Sequence, residues 1–520
     1  MRNALQENWS VTKSAKVSRE GIVVAQNALA AEAGAELLRQ GGNAVDAAVA
    51  AAFALGVVEP WMSGIGGVGL LLWADARTKQ VRVVDFGPLA PARLDPARYR
   101  TIGETGPSQF GWPRVEGDRN LKGYESICVP GSVDGLGLAL ESFGRKSLAE
   151  AIAPAIELAE RGMPLDWHTS LAVTIGAREL AEFPSSREVY LPGGLPPVSP
   201  AEGPLQHLPM GRLAATYRRL AEAGRRDLYE GELSGALLDD LTAGGSPISA
   251  EDLRGFHAAI VEPLTIDYRG VRVHGATPLS GAPTLIDALG ALDNMLPALP
   301  RALPDAETFV AYAEALLETF RRRLAELGAA AANSSTTHVS VVDRDGNMVA
   351  LTNTLLARFG SKVVLPGTGI LMNNGMMWFD PTPGRPNSIA PGRRPLANMC
   401  PVIATRDGAP WAALGACGGR RIIPAVTQLL SFLVDFGMPL EKAFETPRID
   451  ASGRKVVCDN RFPPEVVSAL AARFPVEIAE DTVYPSHFAV PSAVSRRVNA
   501  PLNSGMAYVH SPAAAATIAE

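Results

Sequence analysis

The stretch "NAVDAAVAAAFALGVV", Asn43 to Val58, limits the fold more than any other part of the chain. The preceding "AAEAGAELLRQ" carries Ala and Leu at helical spacing and stops at Gly41-Gly42. Asn43 is then a good N-cap, because its side-chain oxygen can accept a backbone N–H that the first helical turn leaves unpaired. The helix it begins is apolar on nearly every face, so it must lie buried between layers. It is too short and too Ala-rich to span a bilayer, and Glu59-Pro60 ends it. With 520 residues, 47% of them hydrophobic, the chain can build a large layered core around it.

Next comes "GIGGVG", Gly64 to Gly69, which matches GxGxxG in form. Dinucleotide binding needs a strand before that loop and a helix after it, so that the helix N-terminus meets the pyrophosphate. Here a helix precedes it and the strand-like "LLLWAD" follows, so a tight turn feeding a buried strand is the better reading. From about 145 to 255 the pattern is helical, broken by "LPGGLPPVSPAEGP". Strands return at 263–276 and helices follow to about 327. The remainder predicts alternating strands, an apolar helix around 426–436 and a loop-rich end. Charged residues make up 20%, the net charge is −6, and no basic cluster stands out. That composition argues against nucleic acid and against an anionic membrane surface as partners. The four cysteines, Cys128, Cys400, Cys417 and Cys458, form no CxxC pair and read as reduced, buried thiols. The N-terminal segment has no apolar run of the secretory type, so the cytoplasm is the default expectation.

The chemistry concentrates in "AAANSSTTHVSVVDRDGNMVALTNTL", Ala330 to Leu355. Small polar residues give way to period-two alternation from Thr336, Asp345-Gly346 marks a turn, and "MVALTNTL" reads as the returning strand. Thr336 thus stands at the outer end of a hairpin strand. Threonine favours strands, and local propensity accounts for it. A second reading also fits. A threonine hydroxyl becomes a competent nucleophile when the same residue carries a free α-amine as its base, which requires cleavage between Ser335 and Thr336. His338 shares the Thr336 face but has no metal partner near it in sequence and reads as structural.

Beyond these local features, the chain resembles the γ-glutamyltranspeptidase family of N-terminal-nucleophile hydrolases. The resemblance runs in order through "GGNAVDAAVAAAFALGVVEPWMSGIGGVG", "VPGSVDGL", "LYEGELSGALLDDL", "DYRG", "TTHVSVVDRDGNMVALTNTL" and "ACGGRRI". It implies an α+β fold, a four-layer αββα sandwich, cut by the chain itself into a large subunit (1–335) and a small subunit (336–520) that stay together as a heterodimer, with higher oligomers left open. It also implies roles. Thr336 is the nucleophile, Thr354 hydrogen-bonds and orients it, and Gly418 and Gly419 present backbone N–H groups to the oxyanion. No metal or organic cofactor is called for.

The same resemblance exposes departures. Where the family binds the α-carboxylate and α-ammonium of a glutamyl group, this chain has Gly87, Leu356, Gly375, Trp378, Ala397 and Asn398. Leu356, Met377 and Trp378 suit an apolar or aromatic acyl group. Arg358, Lys362 and Arg394 can meet a carboxylate placed differently. Trp378, Leu356, Asn398 and Arg358 are therefore the candidate substrate-binding residues. The segment before Ser335 and the stretch 378–399 are short, which implies an open cleft. The expected activity is that of an amide hydrolase or acylase on a small-molecule amide. γ-Glutamyl transfer or glutathione hydrolysis is the alternative, and a catalytically silent binding protein on the same fold is a third.

Overall fold

A computed structural model describes residues 11–105, 112–296, 303–326, 335–484, 487–497 and 500–520. The small-residue stretch forms two helices, α1 (Ala28–Arg39) and α2 (Ala44–Val58). Asn43 Oδ1 accepts the N–H groups of Val45 and Asp46, and the Asp46 carboxylate accepts the Asn43 N–H at 2.7 Å, a reciprocal cap. Every residue of α2 is buried, as its all-round apolar pattern requires.

Two antiparallel seven-stranded sheets carry the fold. Across the first, the order is β14 (Ala515–Ile518), β2 (Ile22–Ala25), β8 (Ser335–Val342), β9 (Met348–Leu356), β3 (Val68–Ala74), β4 (Val81–Phe86) and β5 (Ala259–Val261). Across the second it is β1 (Lys16–Ser18), β13 (Asn503–Ala507), β12 (Val490–Arg496), β11 (Ala409–Cys417), β10 (Val402–Arg406), β7 (Val271–Gly275) and β6 (Leu264–Tyr268). Side chains alternate as a pleat demands. Val349, Leu351 and Leu355 of β9 pack with α2, whereas Met348, Ala350 and Leu356 join the core between the sheets.

Helices α3 (Ser132–Phe143), α4 (Leu148–Arg161), α5 (Trp167–Leu180) and α6 (Leu213–Ala223) share the apolar cluster of α1 and α2 on the outside of the first sheet. Helices α7 (Ala282–Met295), α8 (Ala306–Glu326) and α9 (Ile422–Val434) cover the second. The layers are therefore α, β, β, α, as expected. The hairpin forms at β8 and β9, and Gly64–Gly69 links α2 to β3. Gly67 and Gly69 are needed there for close approach: a Cβ on either would stand 2.4–2.5 Å from a carbonyl oxygen of β9. All four cysteines are free and buried. No helix among the described residues is long and apolar enough to cross a membrane.

The C-terminal end departs from its loop-rich expectation. It supplies β12, β13 and β14, the last of which pairs with β2 in the opposite sheet. Their sequences, "VPSAVSR", "NSGMA" and "AATI", are weak strand formers. Close packing of the sheets selects the small residues instead: a Cβ on Gly505 would lie 2.5 Å from Ile22.

Candidate active site

The ladder between β8 and β9 is regular until its open end. There Ser335 pairs with Leu356 but Thr337 pairs with Asn353, so Thr354 and Leu355 together oppose Thr336. Such a bulge re-aims the side chains around it. Thr336 Oγ1 and Thr354 Oγ1 end 3.2 Å apart, both buried on the side of the sheet that faces the second sheet. The Leu356 N–H donates to Thr354 Oγ1 at 2.8 Å. That occupies an acceptor position on the Thr354 hydroxyl, and either hydroxyl of the Thr336–Thr354 pair can be the donor. Leu356 itself is held at a φ of 80°. That left-handed conformation suits Asn far better than a bulky apolar residue.

His338 lies one step further along β8. Its Nδ1 is 2.9 Å from Thr352 Oγ1 and its Nε2 is 3.2 Å from Ser340 Oγ. Gly415 on the facing β11 leaves room for the ring, since a Cβ there would fall 2.3 Å from it. Burial pushes the imidazole pKa down to about 3, so it is neutral. Its ring is bonded within the first sheet and packs against Gly415 of the second.

β11 faces β8 across the interior and ends at Cys417, where Gly418 and Gly419 turn the chain into α9. Their φ values are 136° and 65°, and a Cβ on Gly418 would stand 3.0 Å from the Ala489 backbone. Arg421 Nε donates to the Gly418 carbonyl at 3.3 Å. The C=O and the following N–H of a planar peptide point in opposite directions, so this bond turns the Gly419 N–H away from Arg421. The turn also sits at the N-terminal end of α9, where the helix dipole favours negative charge.

A cavity of about 630 Å³ opens at this end of the sheets, lined by Gln26, Glu59, Trp61, Arg358, Gly418 and Arg421 among others. Of the four candidate substrate-binding residues, only Arg358 lines it. Trp378 and Leu356 are instead buried in the core between the sheets, with Ala397 and Met399, while Met377 of the same cluster also lines the cavity. Asn398 is buried too, and its Oδ1 accepts from Arg323 Nη2 at 3.3 Å. Arg323 also donates to the carbonyls of Ala397 and Ser280, and burial lowers its pKa to about 10. Sequence reasoning missed this residue because the run "FRRRL" reads as a solvated face. The other two candidate cations are engaged. Lys362 bonds the Arg358 carbonyl and pairs with Glu179 at 3.3 Å, and Arg394 pairs with Asp85 at 2.9 Å. Arg358 has no hydrogen-bond partner for its guanidinium among the described residues. Gln26 and Glu59 were missed as well: they follow a strand and a helix end, and only the fold brings them together.

The similarity to known proteins extends over most of the chain. The family model for gamma-glutamyltranspeptidase matches residues 30–334 and 325–507. The acylase ACY 1 proenzyme of Pseudomonas sp. (strain SE83) is 36% identical over 501 residues, spanning 89% of this chain and 88% of that protein. The glutathione hydrolase proenzyme of Bacillus subtilis (strain 168) is 30% identical over 525 residues, spanning 89% and 86%. The crystal structure of cephalosporin acylase from Bacillus halodurans has the same fold, with a TM-score of 0.84 over 99% of both chains at 24% identity. With a bulged hairpin, a glycine turn opposite it and sequence similarity over 89% of its length, the chain belongs to the gamma-glutamyltranspeptidase family.

Proposed function

We propose that this enzyme is a self-processing N-terminal-threonine acylase, with Thr336 as nucleophile. In maturation, the Thr336 hydroxyl attacks the Ser335 carbonyl, the Thr336 nitrogen leaves as the amine, and water hydrolyses the resulting ester. In turnover, Thr336 Oγ attacks a substrate amide carbonyl. The freed α-amine takes the hydroxyl proton and passes it to the departing nitrogen. Gly418 and Gly419 hold the oxyanion, and Thr354 holds Thr336 in line. Water, or a second amine, releases the acyl group. A cut before Thr336 leaves β8, β9 and β14 from the small piece interleaved with β2 and β3 from the large one. The two subunits then stay together as one sandwich.

The observation that carries this reading is the pair Thr336–Thr354 at a ladder bulge, beside head-group positions filled by Leu356, Met377 and Trp378. Catalysis is retained while recognition of a glutamyl zwitterion is replaced by apolar packing. Each charge-assisted hydrogen bond lost is worth about 1.5–3 kcal/mol, enough to redirect specificity. The ACY 1 acylase relative supports the same direction. One feature favours the second reading, γ-glutamyl hydrolysis or transfer. Arg394 Nη1 lies 3.3 Å from where a Gly87 Cβ would be, so a cation does stand near that position. Its pairing with Asp85 satisfies it already.

The test has two parts. Purified protein should resolve on a denaturing gel into two chains, the smaller beginning TTHVSV, and Thr336→Ala should remain single and inactive. The mature enzyme should cleave a glutaryl or aromatic acyl anilide faster than γ-glutamyl-p-nitroanilide. Comparable rates on the two would overturn the acylase reading.

A further inference from the structure

Thr336 stands on β8 between two flanks. On the β9 side lie Leu356, Trp378 and Ala397, the positions assigned above to the acyl group. An amide lying across the end of β8 therefore carries its amine half toward β2. Gln26 is found there, just beyond β2, with its Nε2 donating to Cys417 Sγ at 2.8 Å. Glu59 closes the same cavity from the end of α2.

Both side chains are almost wholly enclosed, at 4% and 3% exposure, yet neither is satisfied. Gln26 Oε1 and Glu59 Oε2 are covered and have no hydrogen-bond partner among the described residues. Buried acceptors without donors are costly and rare in native proteins. Two of them on one cavity wall, next to the residue that precedes Gly418, point to a ligand that brings N–H groups. We propose that Gln26 and Glu59 form a subsite for the amine half of the substrate, one that receives a primary ammonium or an N–H donor on the leaving or attacking amine. The inference rests on the acylase reading for its orientation.

The surrounding charges make this subsite sensitive to pH. Burial and the Asp166 carboxylate push the Glu59 carboxyl up to about 8, while Arg358 pulls it down. Burial raises the Cys417 thiol to about 12 and lowers His168, while Arg358, Arg421, Lys362 and Glu179 also line the cavity. Arg358 and Arg421 add positive charge to the same wall, so a cation is admitted only where Glu59 ionises. A cation prefers the ionised form. Its binding must therefore strengthen as pH rises through about 8, with release of the Glu59 proton.

Calorimetric titration tests this without needing turnover. The probes are N-(2-aminoethyl)acetamide, a cation, and N-propylacetamide, its neutral isostere. From about pH 6 to about pH 8.5, affinity for the cation should rise roughly tenfold or more, while the neutral probe stays flat. Glu59→Gln should abolish the rise, and Gln26→Leu should weaken both probes. Equal, pH-independent binding of the two probes to the wild-type protein overturns the subsite, whether or not the variants fold. If instead the cation binds as stated but no acyl amide is hydrolysed, the subsite stands and the acylase reading falls.

Discussion

Replacing Thr354 by Val removes one hydroxyl and preserves shape, so its consequences can be worked from two measured contacts. The hydroxyl accepts the Leu356 N–H at 2.8 Å and lies 3.2 Å from Thr336 Oγ1. Losing the first leaves a buried backbone N–H without a partner, which costs about 1–3 kcal/mol of stability. Losing the second frees the nucleophile to rotate about χ1 among staggered wells. A hydrogen bond of about 1–2 kcal/mol that acts only on the attacking oxygen translates into a 5- to 30-fold loss of turnover. The bond does not touch the acyl pocket, so KM should change by less than about threefold. The assay is steady-state hydrolysis of the best acyl anilide by gel-verified two-chain protein, with thermal unfolding measured alongside. Unchanged kcat in a protein that is destabilised as calculated would show that Thr354 is structural and does not orient Thr336. A rise in KM with constant kcat would place it in substrate binding instead.

Two other substitutions probe the opposite wall and the acyl pocket. Gly418→Ala puts a Cβ 3.0 Å from Ala489 at a φ of 136°, so the turn must move; kcat should fall by about 10²-fold, and a loss under about threefold would remove the turn from the oxyanion site. Leu356→Asn with Trp378→Asp should raise the preference for γ-glutamyl over glutaryl anilide by about tenfold or more. Both changes sacrifice apolar packing, about 3–5 kcal/mol at Trp378 and less at Leu356, where relief of the positive φ offsets part of the loss, so thermal unfolding should fall in both single variants and further for Trp378→Asp. An unaltered preference in folded double variant would mean that these positions do not define the acyl pocket.

The layered architecture was legible because its signals are local. The apolar α2 with its Asn43 cap, the Asp345-Gly346 turn and the alternation of β8 and β9 each depend on residues within one element. What the sequence hid depends on contacts across elements. The strands after residue 489 are written in Ala, Ser, Gly and Pro because Gly505 must pass within reach of Ile22, not because the segment favours a strand. Arg323 is one of three consecutive arginines, and only the docking of α8 against Ser280 and Ala397 makes it the buried one. The bulge at Thr336 is likewise a matter of register between two strands. No residue at that point announces it.

That division explains how the site can keep its chemistry while changing its substrate. The Thr336–Thr354 pair and the Gly418–Gly419 turn are fixed by backbone: a ladder register, a positive φ, a helix start. Substitution elsewhere leaves them in place. On the proposed reading, the acyl and amine sides draw on side chains carried on separate segments, at 87, 375–378 and 397–398 on one flank and at Gln26 and Glu59 on the other. Each can be exchanged without disturbing the ladder. Leu356 and Trp378, at the positions proposed to have held a glutamyl group, contribute apolar burial between the sheets. Leaving Gln26 Oε1 and Glu59 Oε2 unpartnered does the reverse, and a fold that tolerates such a cost keeps it where a ligand supplies the missing donor. On this argument the amine half is the side on which this enzyme still recognises charge. Specificity should then respond more to changes in the leaving amine than to polar changes in the acyl chain.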